Sequence, residues 1–140
     1  MDTKDHGKEP YVVDIEKLTK GNDNFRVAKW TGTHLQMTVM AIPVGGEVGL
    51  EKHDDIDQFL RIEAGTAKVL MGAEKDNLDQ TWDAEDDFAI LVPAGTWHNV
   101  VNSGDEPLKL YSIYAAPEHP HGTVHKTAEE AMEAEAHHHH

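Results

Sequence analysis

The sequence predicts an all-β domain, a sandwich or a closed barrel, spanning roughly residues 35 to 116. Three observations carry this. Seven short β-type segments follow one another from "HLQMTVMAI" to "LKLYSIYAA". Turn signals separate them: "PVGG", "EAGT", "EKDN", "PAGT" and "NSGDEP". No helical pattern long enough for a βαβ crossover lies between them.

Taken in order, residues 1 to 10 are polar and expected to be loose, as termini commonly are. "YVVDIEKLTKGNDNF" offers a short extended piece and one helical turn, stopped at Gly21 and Asn22. The strands follow as "HLQMTVMAI", "VGLEKH", "QFLRIEAG", "TAKVLMG", "FAILVPAG", "WHNVVNSG" and "LKLYSIYAA". "TAEEAMEAEA" is the convincing helix, with Thr127 as its cap and two glutamates in its first turn. The division expected is an N-terminal arm (1–34), a barrel (35–116), a C-terminal loop and helix (117–136), and a tag remnant (137–140) that carries no functional weight. Met37, Met40, Met71, Phe88, Ile90 and Leu110 are read as core, and Trp97 as packed between sheets or at a dimer contact.

The chain contains no cysteine, so disulfides and thiolate metal sites are excluded. Any metal must sit among nitrogen and oxygen donors, which suits Mn, Fe, Co, Ni, Cu or Zn. A formal net charge of −14 argues against nucleic acid and anionic membrane surfaces as partners. No apolar run approaches the ~20 residues that span a bilayer. The first ten residues lack the apolar stretch of a signal peptide, so a cytoplasmic location is expected.

Strand residues two apart share a face. In "GLEKH", Glu51 and His53 therefore point together; Gln58 begins the next strand, and "WHNVVN" supplies His98. Three neighbouring strands thus bring two imidazoles, a carboxylate and an amide oxygen toward one point, a plausible set of donors for one divalent transition metal. Asp54, Asp55 and Asp57 read as solvated charges, and Asn102 as a turn support. Tyr111 and Tyr114 lie on opposite faces of one strand, so at most one lines the interior. The cluster His119, His121 and His125 reads as an exposed loop after the barrel, the alternative being a lid or second metal site over its mouth; Pro117 and Pro120 favour the loop.

These residues resemble the two motifs of the cupin superfamily. The first runs Gly45, five residues, Glu51-x-His53, four residues, Gln58, six residues, Gly65. The second runs Pro93-x-Gly95-x-x-His98-x-x-x-Asn102, about 28 residues further on, with Asp87 where the family has a glycine. The resemblance implies a double-stranded β-helix (jelly-roll) barrel and a metal held by Glu51, His53, Gln58 and His98. In the family pattern the Glu51 position is a histidine and the Gln58 position a glutamate. One negative charge is kept, at a different corner of the site.

The implied function is a metal-dependent enzyme acting on a small neutral or chelating metabolite through Lewis-acid or oxygen chemistry, with Glu51 also available as a base. A sugar-phosphate isomerase or epimerase, similar to the mannose-6-phosphate isomerase barrel, is the second reading. It needs Arg26, Lys29 or Lys68 at the mouth, since Arg61 and Lys52 face away from the ligands. A non-catalytic metal or small-ligand binding protein is the third. A homodimer is expected, because small barrels leave sheet edges and apolar outer faces exposed and "YVVDI" is free to add a strand to a neighbour.

Overall fold

The computed structural model describes residues 2–138; the histidine run read as a tag remnant lies partly outside them. Two antiparallel sheets face each other. The larger contains β1 (Arg26–Thr31), β2 (Gln36–Ile42), β3 (Asp57–Ala64), β6 (Ala89–Val92), β8 (Leu108–Ala115) and β9 (Val124–His125), in the order β6-β3-β8-β2-β1-β9. The smaller contains β4 (Thr66–Gly72), β5 (Gln80–Glu85) and β7 (Trp97–Asn102), in the order β5-β4-β7. Helices α1 (Ile15–Lys20) and α2 (Ala128–His138) flank the sheets. Among the described residues no helix is long and apolar enough to cross a membrane.

The apolar alternation of β3, β4 and β8 builds the interior. Leu60, Ile62, Val69, Leu108 and Leu110 are all within 2% of full burial. Six of the seven expected strands form, with ends shifted by up to three residues. The seventh, "VGLEKH", does not form a continuous strand. Gly49 sits at φ +113°, which breaks the extended run and leaves two isolated bridges to β7, at Glu47 and Glu51. Three strands escape the sequence pattern. β5 is exposed along its length except at Ala84. β9 has two residues. β1, "RVAKWT", is too cationic to read as buried, yet Arg26 and Lys29 are each 1% exposed. The larger sheet therefore reaches beyond residues 35–116 at both ends.

The N-terminal arm folds onto its own chain. The Asp5 carboxylate accepts from the Thr31 and Gly122 amides (2.9 and 3.0 Å), and the Trp30 indole donates to the Glu9 carbonyl (2.7 Å). Lys29 Nζ donates to the Asp2 carbonyl (2.7 Å). Residues 11–14 form no strand; Asp14 instead caps α1, accepting from Lys17 N (3.1 Å). The cap expected at Thr127 is present as a reciprocal pair. Thr127 Oγ1 accepts from the Glu130 amide (3.2 Å), and the Glu130 carboxylate accepts from the Thr127 amide (3.2 Å).

One expectation for a large side chain is corrected, and another loses one of its two alternatives. Phe88 is 47% exposed, next to Trp82 (48%) and Leu91 (68%) around the edge strand β6. It opens the turn into β6 rather than lying in the strand. Trp97 does not pack between the sheets. It is half-buried, with Lys52 and Lys75 ammonium groups 5.4 and 5.7 Å from its ring. Met37, Met40, Met71, Ile90 and Leu110 are buried as expected.

Asp87 occupies the glycine position of the second motif and keeps the glycine's conformation, with φ +74°. Aspartate tolerates this left-handed region better than most residues, and its carboxylate pairs with Arg61 Nη2 (2.7 Å). Asp87→Val is expected to destabilise the fold by ~1–2 kcal/mol relative to Asp87→Gly, since a β-branched side chain is the poorest fit to positive φ. Urea denaturation of the two variants, compared at equal m-value, checks this.

Candidate metal centre

The centre starts from a pair of backbone hydrogen bonds. Glu51 N donates to the His98 carbonyl (3.0 Å) and His98 N donates to the Glu51 carbonyl (2.9 Å). This is a hydrogen-bonded antiparallel pair, so both side chains leave the same face. His53, two residues on, is tied down by the Gly95 amide, which donates to its carbonyl (2.8 Å). Three side chains converge as a result. Glu51 Oε1 lies 3.4 Å from His53 Nε2 and 3.5 Å from His98 Nε2. One ligand atom from each of the three falls within 4.8 Å of the others.

The hydrogen bonding at the far side of the rings decides what the near side offers. His98 Nδ1 lies 3.0 Å from the Thr96 carbonyl, to which only a protonated Nδ1 can bond, so Nε2 presents a lone pair inward. His53 Nδ1 lies 3.4 Å from the Glu118 carboxylate. Glu51 Oε1, His53 Nε2 and His98 Nε2 are all buried and all lack a hydrogen-bond partner. Acceptors facing one another in a protein interior repel unless a cation lies between them. Two nitrogens and a carboxylate oxygen are donors that suit a divalent transition metal, so the residues present fit such an ion.

In the metal-free protein a proton serves in part. Burial disfavours charge on His53, but Glu118 and Glu51 more than offset this and raise its pKa to about 9. Burial likewise opposes ionisation of Glu51, yet bonding to His53 and His98 holds its carboxyl well below the usual range.

Gln58 is 4% exposed, and its Nε2 donates to Ser112 Oγ (2.8 Å). Its Oε1 is buried without a partner among the described residues, which leaves that oxygen free to accept a hydrogen bond or ligate a metal. Gln58, Tyr114 and Gln36 form one cross-strand row, and the Tyr114 ring meets His53 edge-on at 5.9 Å. Burial pushes the Tyr114 hydroxyl up to about 12, so it stays protonated. Tyr111 lies on the other face against Phe59 (6.1 Å). Asp54 and Asp55 are exposed and Asp57 accepts from the Ala94 amide (2.9 Å), while Asn102 bonds Ile42, Glu106 and Gly104 as a turn support.

The loop after β8 is only in part the exposed segment expected: Glu118, Pro120, His121 and Gly122 are exposed, while His119 and His125 are half-buried. Gln36 Oε1 accepts from the Glu118 and His119 amides (both 2.9 Å), and its Nε2 donates to the His119 carbonyl (2.7 Å) and to Thr31 Oγ1 (3.0 Å). This clasp holds Glu118 against His53 and the His119 ring against Tyr114, 3.3 Å from its hydroxyl. His125 belongs to β9, beside Arg26. His121 alone of the three histidines is exposed, with Nε2 2.9 Å from the Gly7 carbonyl. Pro117 and Pro120 argue against a strand here, but they do not forbid a loop that is fastened inward.

The family is decided by a match of the chain to the model of the Cupin domain over residues 38–114. This chain is a cupin. It is 56% identical over 132 residues to the uncharacterized protein YrkC of Bacillus subtilis, covering 94% of this chain and 71% of that protein. The crystal structure of BH2720 from Bacillus halodurans shares 59% identity with this cupin at a TM-score of 0.92, covering 93% of this chain and 98% of that one. A predicted oxalate decarboxylase from Thermotoga maritima shares the fold alone, with 18% identity and a TM-score of 0.52 over 59% of this cupin and 66% of that chain.

Three residues near the centre are absent from the sequence-based set: Glu118, Tyr114 and Arg26. Tyr114 was open to recognition by its inward phase on β8. Glu118 follows the barrel in sequence, and no local pattern returns it to His53. Arg26 required β1 to be recognised first; of the three cations the sugar-phosphate reading needs, it is the one that shares a cavity with Glu51. Lys29 and Lys68 do not share that position. Lys29 bonds Asp2 beneath the arm, and Lys68 lies near Asp83 (3.7 Å) outside the barrel.

His119 supplies a stability test. Burial first, and then the positive charge of Arg26, lowers its pKa to about 3; Glu51 opposes this, and His125 and His53 add to it. The unfolded chain takes up this proton near pH 6.5 and the folded chain does not. The contribution is therefore complete above pH 6.5 and is lost as pH falls toward 3. His119→Asn is expected to flatten the decline in Tm over the upper part of that window. Parallel declines in both proteins would remove His119 as the cause.

Proposed function

We propose that this cupin holds a divalent transition metal on Glu51, His53 and His98, with the Gln58 oxygen as fourth donor or as the support beside the other three, and that it is a metal-dependent enzyme for a small chelating metabolite. One observation carries the reading: a carboxylate oxygen and two imidazole nitrogens converge, all buried and, among the described residues, without a well-formed hydrogen bond. A metal there supplies Lewis acidity or, if it is redox-active, oxygen chemistry. Glu51 is the carboxylate of the set and the candidate base for a ligand proton. Tyr114 stays a hydroxyl donor at the inner wall. The clasped loop holds Glu118 beside His53 and His119 beside Tyr114.

Elemental analysis of protein freed of its terminal histidines tests the site. His53→Ala and His98→Ala are each expected to abolish stoichiometric metal, while His34→Ala, at an exposed position, keeps it. Saturating metal should also raise the Tm of the parent protein, by the equivalent of ~2.7 kcal/mol at a hundred times Kd. Full metal content in both His53→Ala and His98→Ala would overturn the assignment.

A homodimer belongs to the same reading. Trp82, Phe88 and Leu91 are the support for it, an apolar surface beside the edge strand β6. Light scattering should give about twice the 15.6 kDa chain mass; a value equal to the chain mass would remove the dimer.

A further inference from the structure

We propose that Arg26 is an anchor for the carboxylate of a small organic acid, placed inside the barrel beside the Glu51, His53 and His98 cluster; the substrate class so named rests on reading that cluster as the ligand site. Arg26 is 1% exposed. It stands in an interior row in which Ile62, Leu110, Met40, Arg26 and His125 follow one another across the sheet. Its Nε and Nη1 are buried without a hydrogen-bond partner, and so is Nδ1 of the neighbouring His125. The chain's other arginine shows the usual arrangement, with Arg61 paired to both Glu63 and Asp87. A guanidinium taken out of water with unused donors carries a heavy penalty, which a ligand that accepts from both donors relieves.

Arg26 and Glu51 line one cavity of about 290 Å³ between the 47–51 segment and α2; Glu47 also lines it, and its apolar walls include Phe25, Val48, Leu50, Ala131 and Met132. That volume suits a ligand of few heavy atoms. The Arg26 charge is felt across the centre. Burial, and after it Arg26, holds His119 and His125 below their ordinary pKa. With a divalent ion in place, the ion and Arg26 bring three positive charges against Glu51 and Glu118, with the exposed Glu47 at the edge of the cavity. An anionic ligand brings the interior toward neutrality. The planar fork of one arginine matches the two oxygens of a carboxylate. A phosphate gathers several cationic donors, and Lys29 and Lys68 are committed elsewhere.

The test titrates tag-free protein, metal-loaded and metal-free, with propanoate, inorganic phosphate and 1-propanol by calorimetry and Tm shift. Propanoate is expected to bind in the millimolar range, more tightly than phosphate, and propanol not at all. Arg26→Met should keep its metal content and a Tm no lower than that of the parent, because an unpaired buried charge is removed, while propanoate binding falls at least tenfold. Arg26→Lys keeps the charge without the fork and should also weaken propanoate several-fold, which preserves the test if the Met variant does not fold. Propanoate binding unchanged in either variant, tighter binding of phosphate, or no propanoate binding to the parent overturns the inference. The metal assignment stands or falls separately on the metal content of His53→Ala and His98→Ala, and the metal-free titrations read Arg26 without it.

Discussion

The reciprocal backbone bonds between Glu51 and His98 are the constraint on which the site depends. Residues 45–53 do not form a strand, and Gly49 breaks their extended course. Without that two-bond clip to β7, the carboxylate and the imidazole would lie on unrelated parts of the chain, separated by 46 intervening residues. With it, the pleat of a single antiparallel pair aims both inward. His53 follows two residues later, and the Gly95 amide fixes the end of the segment. An irregular backbone is thereby given the directional precision of a sheet.

The interior divides along its length. Toward one end lie Ile42, Ile62, Val69, Val100, Leu108 and Leu110. Toward the other lie Gln36, Thr38, Gln58, His98, Ser112 and Tyr114, all at least nine-tenths buried. The apolar end provides the cohesion. The polar end lowers it, because Thr38, Gln58, Glu51, His53 and His98 each keep a buried polar atom without a partner among the described residues. Protein interiors seldom leave so many polar atoms unmatched at one place, and such concentrations mark where a fold forgoes stability for binding.

Most of the fold was legible because β2, β3, β4, β7 and β8 alternate or run apolar between clear turns. β1 and β5 were not legible, for opposite reasons: β1 buries cations that are ordinarily solvated, and β5 buries almost nothing. The convergence of Glu51, His53 and His98 could be reasoned from strand phase and motif spacing. The fastening of residues 118–119 could not, since it depends on Gln36, 82 positions earlier, whose amide looks like any other in an apolar strand. Asp87 shows a third case. A motif glycine is replaced, yet the backbone conformation it served is retained.

The Gln36 clasp also bears on time. Three of its hydrogen bonds hold the loop, and at a net ~1 kcal/mol each they leave the unclasped form on the order of 1 in 100 molecules. Exposure of the His53 and Tyr114 faces that Glu118 and His119 cover then follows the opening rate of this loop. A single amide on β2 thereby sets how long Glu118 and His119 stay beside the centre.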